Sequence, residues 1–214
     1  MPRERPTGLI AFVGVLATLA CYFAPFPSYA NWVGWCLWGF LCGLVLPASV
    51  VLALGEPLTA WGIVLGDWKR GLVILVASVA VMSVIGWWAA QRPDFRAYYL
   101  PLTAHLHANP ITFWLALMAY MLGWEFLFRG FLLFGLAGGE KPVPTRRLVG
   151  AVAFSTLLFG LSHLGKPLPE VVGSFCAGVI LCAIAWTTQS VLAPVLLHTI
   201  VFGMFTAQVA WLNR

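Results

Sequence analysis

The sequence predicts an all-α fold, a polytopic transmembrane helical bundle with about seven spans. Of the 214 residues, 61% are hydrophobic and only 9% are charged, whereas soluble domains carry roughly 25% charged residues. Apolar runs of about 20 residues follow one another, the length that crosses a hydrocarbon core about 30 Å thick. Because a spanning backbone must satisfy its own hydrogen bonds in lipid, these runs are predicted to be helices.

The span boundaries follow from the apolar runs and from the Pro, Gly and polar residues between them. The predicted spans cover roughly residues 8–27, 32–54, 70–90, 111–136, 148–164, 170–188 and 191–211. The stretch "EPLTAWGIVLGDW" is too short and too interrupted to cross, so we expect an interfacial or re-entrant segment there. The sequence has no internal repeat and no low-complexity linker, so we expect residues 1–214 to form a single integral membrane domain.

The charged residues of the loops predict the orientation of the chain. The start, "MPRERP" followed by an apolar run and "PSYA", resembles a signal peptide, but the apolar runs that follow favour an uncleaved first span. With the N-terminus inside, the basic residues divide into an inner group of Arg3, Arg5, Lys69, Arg70, Lys141, Arg146 and Arg147 and an outer group of Arg92, Arg96, Lys166 and Arg214. This bias agrees with the positive-inside rule and predicts a cytoplasmic N-terminus.

The composition also limits the partners of the chain. Its net charge of +5 comes from residues that flank the spans, so anionic lipid explains it better than nucleic acid does. The five cysteines lie within apolar runs and show no paired metal-ligand spacing, so they are predicted to be small core residues and no cofactor or metal is expected. The short loops and the lack of organelle-targeting features favour a bacterial inner membrane.

The stretch "MLGWEFLFRGFLLFG" places two charged residues inside a predicted span. Glu125 and Arg129 are four residues apart, so they lie on one helical face and can pair. A charge at the bilayer centre costs on the order of 2.5–3.5 kcal/mol on insertion scales. The pair is therefore either a structural link to neighbouring helices or part of a functional site.

Two histidines occur in similarly apolar surroundings. His163 of "FSTLLFGLSHLG" falls at the end of the fifth predicted span, and His198 of "APVLLHTIVFGMF" falls inside the last one. A carboxylate and an imidazole that converge on water can act as general base and acid, and a second imidazole can stabilise an oxyanion. Such a site needs the three spans to be neighbours.

The other two histidines, in "LTAHLHANP", are predicted to lie in a hydrated loop or interfacial segment. On an extended strand His105 and His107 would share one side, and a weak metal site is conceivable there. Neither has a carboxylate at a zinc-like spacing, and the sequence has no H-E-x-x-H.

The order "W-E-F-L-F-R-G", "F-G-L-S-H" and "H-T-I-V-F" resembles the motifs E-E-x-x-x-R, F-x-x-x-H and H-x-x-x-N of the CPBP family, the CAAX-protease and bacteriocin-processing (Abi-type) intramembrane proteases. The resemblance covers residues from about 110 to 207. It implies a catalytic core of transmembrane helices with a site of Glu125, Arg129, His163 and His198. It also implies cleavage of a membrane-associated protein or peptide near its C-terminus, within the lipid bilayer.

Two positions depart from the family pattern. Trp124 stands where the first Glu of the pair, usually the water-activating residue, is expected, and Phe202 stands where the oxyanion-stabilising Asn is expected. Either Glu125 has taken over the role of the missing Glu, or the protein is a non-catalytic immunity or chaperone-like member. Possible replacements for the Asn are Ser162, Thr199 and Gln208.

A small proton-coupled transporter is a third hypothesis, because buried Glu, Arg and His also form proton relays. The lack of a repeated half and of paired broken helices disfavours it.

Overall fold

The structure, a computed structural model, describes residues 5–25, 27–138 and 142–213. Within these ranges it contains helices and no strand, so the predicted all-α class is confirmed. The helices are α1 (Thr7–Tyr22), α2 (Trp32–Ala53), α3 (Trp68–Ala90), α4 (Pro93–Ala108), α5 (Pro110–Ala137), α6 (Thr145–Leu161), α7 (Leu168–Thr188) and α8 (Leu192–Leu212).

Each of the predicted spans corresponds to one of these helices, but two helices are short. Among the described residues, five helices are long and apolar enough to cross a membrane, namely α2, α3, α5, α7 and α8. Helix α1 has 16 residues and is apolar, and α6 has 17, so each reaches only about 25 Å at 1.5 Å per residue. The predicted number of about seven spans is therefore approximate: it includes α1 and α6, which are shorter than the five long helices.

Long-range hydrogen bonds identify which helix ends lie together. At the end of the bundle near the start of α1, Arg5 bonds the Phe134 carbonyl and the Val191 amide bonds the Gly62 carbonyl. At the opposite end, Tyr99 of α4 bonds Glu170 at the start of α7. The helices other than α4 therefore alternate in direction, and α4 lies across the end that is remote from the start of α1.

Helix α4 differs most from the sequence-based expectation, which placed a loop or interfacial segment there. Pro93 occupies its first turn together with Asp94, which the helix dipole favours. The side-chain hydrogen bond from Arg92 lowers the pKa of Asp94. The helix ends at Ala108, and the side chain of Asn109, the next residue, accepts a hydrogen bond from the Thr112 amide and caps α5.

The helical conformation changes the interpretation of the two α4 histidines. Residues two apart on an α-helix point about 200° apart, so the extended strand that would place His105 and His107 on one side is wrong. His105 Nε2 instead lies 2.8 Å from the Tyr29 carbonyl oxygen.

The segment between α2 and α3 packs into the bundle without forming a spanning helix, in agreement with the prediction. Its 3₁₀ turn, Leu58–Trp61, buries Trp61 completely, and the indole stacks on Phe131 with 5.5 Å between ring centroids. Gly62 follows with a φ of 89°, where a side chain would be strained and would collide with Phe134. The segment therefore supports α5 from one end of the bundle.

Helix α5 carries the most buried part of the sequence. Phe126–Phe134 forms a π-helix, and each of its residues is buried. Such segments are rare and frequently occur at functional sites. At Gly123 the helix approaches α2 so closely that a Cβ on Gly43 would lie 2.6 Å from the Gly123 carbonyl oxygen, which is typical of packing through small residues in membranes.

Candidate active site

The site centres on a contact between α5 and α8. His198 Nδ1 lies 2.6 Å from Glu125 Oε1. Because a carboxylate oxygen accepts, Nδ1 carries the proton, and in a neutral ring Nε2 keeps its lone pair. The Glu125 side chain is fully buried, whereas 18% of the His198 side chain is exposed. His198 therefore has an unprotonated Nε2 on a partly exposed ring, while the carboxylate that binds its Nδ1 is shielded from solvent.

Arg129 holds the same carboxylate from one turn further along α5. Its Nη1 lies 3.2 Å from Glu125 Oε2 and 3.4 Å from Oε1, so the predicted ion pair is confirmed. The guanidinium is fully buried and its Cζ lies 4.1 Å from the centroid of the Phe159 ring, a cation–π distance. Its Nε and Nη2 have no hydrogen-bond partner among the described residues.

His163 lies just beyond the end of α6, not within the helix. The predicted span extended to residue 164, but α6 ends at Leu161 and His163 occupies the turn that follows. His163 is 6% exposed, and its Nδ1 donates to the Phe159 carbonyl at 2.7 Å. As in His198, the free nitrogen is Nε2.

Phe159 lies between the predicted site residues. Its ring centroid is 4.6 Å from that of His163 and 6.0 Å from that of His198, and its other neighbour is the Arg129 guanidinium. The Phe159 ring thus contacts the predicted Arg129, His163 and His198, and Glu125 joins this group through its contacts with Arg129 and His198. The sequence signal for this residue was only its position one turn before His163.

The two positions that depart from the family pattern both carry buried or half-buried aromatic rings. Trp124 is 5% exposed and its ring centroid lies 6.3 Å from that of His163. Phe202 packs on Trp32 of α2 and Tyr99 of α4, with ring centroids about 6 Å apart. Neither position supplies a carboxylate or a side-chain amide; the indole N–H of Trp124 is a hydrogen-bond donor only.

The candidate replacement donors lie in different places. Ser162 Oγ donates to the Phe159 carbonyl at 2.6 Å and lies 3.4 Å from His163 Nδ1. Thr199 donates to the Val195 carbonyl of its own helix. Gln208 donates to the Ser83 carbonyl of α3. Of the three, the structure brings only Ser162 next to a site histidine.

A residue that the sequence did not single out fixes the π-helix beside the site. Ser155 of α6 is completely buried and its Oγ donates to the Phe128 carbonyl at 2.8 Å. This hydrogen bond joins α6 to α5 one residue before Arg129. A lone Ser in an apolar run carries no pattern that reveals such a partner.

Metal-ligating side chains do not assemble within the part of the chain that the structure describes. No group of three or more His, Cys, Asp or Glu residues there is arranged to hold a metal ion. The cysteines are free thiols; Cys21, Cys36, Cys42 and Cys182 are buried, as core residues are, and Cys176 is exposed on α7.

The site is a polar one inside a helical membrane bundle. It consists of a buried carboxylate that contacts a guanidinium and an imidazole. The family model "Type II CAAX prenyl endopeptidase Rce1-like" matches residues 95–204, half of the chain, and the four predicted site residues lie within the match. The chain therefore belongs to the Rce1-like family of CAAX proteases, as the resemblance predicted, and it is an integral membrane protein. Neither the curated proteins nor the solved structures contain a match.

Proposed function

We propose that this protein is an intramembrane endopeptidase that cleaves a membrane-associated protein or peptide near its C-terminus. The observation that carries the proposal is the 2.6 Å contact between His198 Nδ1 and Glu125 Oε1. It leaves His198 Nε2 free to take a proton from water, with the carboxylate behind it stabilising the imidazolium that forms. The name of the family supports a prenylated C-terminal peptide as the first substrate to try.

In the first half of the reaction, His198 Nε2 removes a proton from water while the water oxygen bonds the carbonyl carbon of the substrate. His163 Nε2 accepts the second hydrogen of that water and orients it. Glu125 acts as a positioning carboxylate that Arg129 holds in place. Because an imidazole is the base in this scheme, a tryptophan at position 124 does not remove the proton acceptor.

In the second half, the tetrahedral intermediate collapses as its C–N bond breaks. The proton on His198 Nε2 passes to the leaving nitrogen, so the immediate products are a carboxylic acid and an amine. The acid then loses its proton to solvent and leaves as a carboxylate. The oxyanion of this intermediate needs hydrogen-bond donors, and the Phe202 side chain has none. The buried Nε and Nη2 of Arg129, which lack hydrogen-bond partners among the described residues, are the donors that we assign to it.

A second candidate function is a non-catalytic immunity or chaperone-like membrane protein. Trp124 at the usual position of the water-activating Glu favours this alternative, as does the complete burial of Glu125. It predicts that the biological role of the protein survives Glu125→Gln, whereas a disruption of helix packing at Gly130 or Gly160 abolishes it.

The two candidates are separated by cleavage assays on membranes and on purified protein. Membrane proteomes of cells that express the wild type, Glu125→Gln or His198→Gln are searched for C-terminally truncated proteins, and purified protein is given a farnesylated CAAX peptide and a peptide with a transmembrane anchor. His105→Gln, a histidine change on α4, is the matched control. Truncation by the wild type and the control alone supports the protease; normal processing by Glu125→Gln excludes it.

We also propose that the protein resides in a bacterial inner membrane with its N-terminus in the cytoplasm. The support is the predicted excess of basic residues on that side. Labelling with a membrane-impermeant maleimide tests it: in intact cells, a cysteine at His107 of α4 is expected to react and a cysteine at Arg146 is not. Cys176→Ser serves as the background, because Cys176 is exposed. The reverse labelling pattern contradicts the proposed orientation.

A further inference from the structure

A polar cluster lies where α4 crosses the start of α7. The Tyr99 hydroxyl donates to the Glu170 carboxylate, with 2.7 Å to Oε1 and 2.8 Å to Oε2. Lys166 Nζ donates to the same Oε1 at 2.8 Å. Tyr99 is 2% exposed, and about a fifth of the Lys166 and Glu170 side chains is exposed. We refer to Tyr99, Lys166 and Glu170 as the Tyr99 clasp.

The Tyr99 clasp touches both elements that carry site histidines. Lys166 lies in the turn that follows α6, and its backbone amide donates to the His163 carbonyl at 3.1 Å. The Tyr99 ring packs edge-on against Phe202, with centroids 5.9 Å apart. Phe202 lies one helical turn after His198 on α8. The clasp therefore connects the His163 turn with the His198 helix through side chains of α4 and α7.

This connection matters because the elements that carry the two histidines share α5 as a neighbour but otherwise pack against different helices. Helix α6 packs against α5 and α7, whereas α8 packs mainly against α3, α4 and α5. The separation of the two imidazole rings consequently depends on how the His163 turn and α8 are connected at the α4 end of the bundle. Near the site, the Phe159 ring lies within 6.0 Å of both imidazole rings, and at the α4 end the Tyr99 clasp joins the His163 turn to the side of α8.

The charge states of the clasp suit a permanent link. Burial alone would lower the pKa of Lys166, but the Glu170 carboxylate raises it above its ordinary value. Burial and the neighbouring Glu170 raise the pKa of Tyr99 well above its usual range. Glu170 also lies in the first turn of α7, where the helix dipole favours a negative charge. The ammonium, the carboxylate and the neutral phenol therefore coexist at neutral pH.

We infer that Tyr99, Lys166 and Glu170 are positioning residues that hold His163 and His198 at the separation the reaction needs. None of the three belongs to the sequence motifs of the site. The kinetic part of this inference rests on the proposed proteolysis, whereas its structural part concerns the geometry of the histidine rings alone.

The structural part is tested by NMR on ¹⁵N-histidine-labelled protein in detergent micelles, which needs no substrate. Tyr99→Phe keeps the ring and removes only the hydroxyl. The expected result is a shift or loss of the His163 Nδ1–H signal, whose hydrogen bond to Phe159 reports on the turn. Tyr98→Phe, the same change at a neighbouring residue that is 41% exposed, is expected to leave the signal in place. An unchanged His163 signal in folded Tyr99→Phe overturns the inference.

The kinetic part uses whichever of the two peptides the wild type cleaves. Misplacement of catalytic groups from a distance can cost up to about 100-fold, so kcat is expected to fall roughly tenfold in Tyr99→Phe with KM within about twofold of the wild type. Glu170→Gln should give a similar loss, and the double variant should lose no more than either single variant, because one linkage is removed. A loss confined to KM, or fully additive losses, contradicts the assignment.

The outcomes distinguish the two proposals. If the wild type cleaves neither peptide and truncates no membrane protein, the proposed proteolysis fails, while the NMR result still decides the inference on the clasp. If Tyr99→Phe does not fold, Glu170→Gln replaces it in both experiments, with Glu56→Gln at the other end of the bundle as its control.

Discussion

Among the described residues, two arginine–glutamate pairs have a buried guanidinium, and the hydrogen bonds of the two guanidinium groups are satisfied to different degrees. The Arg5 guanidinium donates to Glu56, with 2.9 Å from Nε to Oε2, and to the Phe134 carbonyl at 2.8 Å, and it lies 4.3 Å from the Trp61 ring. Arg129 contacts Glu125 through Nη1 alone, and two of its nitrogens have no hydrogen-bond partner among the described residues.

Under the proposed function, this difference distinguishes a structural ion pair from a pair that takes part in the reaction. Native structures satisfy nearly all buried polar groups, so an exception calls for an explanation. The Arg5 pair anchors the start of α1 to the segment before α3 and to the end of the π-helix, and each of its guanidinium nitrogens has an acceptor. In the Arg129 pair, the carboxylate also contacts His198, and Nε and Nη2 of the guanidinium have no acceptor among the described residues.

The strongest contrast is expected between the two glutamates. Glu125→Gln removes the charge that stabilises the His198 imidazolium, so cleavage should fall by up to about 10⁴-fold, the loss that follows when the carboxylate behind a histidine base becomes an amide. Glu56→Gln, at a side chain that is 27% exposed, should leave the rate per folded molecule unchanged. Peptide cleavage by purified protein measures both. Equal losses in the two variants contradict the distinction.

The two arginines provide the next comparison. Removing one partner of a buried pair costs about 3–5 kcal/mol, so Arg129→Met should lower the free energy of unfolding by an amount of this order. Arg5→Met should lower it by less, because 27% of the Glu56 side chain is exposed to solvent. Only Arg129→Met should also reduce kcat among the molecules that remain folded. Denaturant unfolding in micelles and cleavage rates corrected for folded protein test this. A normal kcat in Arg129→Met refutes its role at the oxyanion.

The aromatic rings beside the arginines allow a smaller, matched test. Phe159→Leu removes the ring that contacts Arg129 and both site histidines, and Phe131→Leu removes the ring stacked on Trp61. A desolvated cation–π contact contributes about 2 kcal/mol and a stacked aromatic pair about 0.5–1.5 kcal/mol, so both variants should lose stability. Only Phe159→Leu should also alter the NMR signals of His163 and His198. If the two variants give identical histidine spectra, Phe159 does not position the two site histidines.

The smallest effect is expected from a third ion pair, Lys166–Glu170, which is partly exposed. Glu170 raises the pKa of Lys166 in the folded state, so the pair stabilises the fold below the unfolded lysine pKa of about 10.4. This stabilisation is lost as pH rises through the folded pKa. Alkaline unfolding curves should show the loss in the wild type and not in Lys166→Met. If the two proteins give curves of the same shape, the Lys166–Glu170 pair does not stabilise the fold.

Much of the site could be predicted from the sequence, since its signals are local. The cost of a charge in lipid singled out Glu125 and Arg129, and their four-residue spacing predicted the pair that the structure contains. The same argument and the family motifs identified His163 and His198. Ser155 and the Tyr99 clasp could not be found this way, because a serine in an apolar run and charged residues near helix ends are ordinary features of membrane sequences.

The sequence by itself determined the class of fold, the approximate spans and the identity of the four candidate site residues, because composition and helical periodicity depend on neighbours along the chain. The tertiary structure decided which groups meet. His198 reaches Glu125 across 73 positions, and Arg5 reaches Glu56 across 51. Such contacts depend on how helices pack and on the register that a π-helix imposes, and neither property is encoded in the spacing of a few residues.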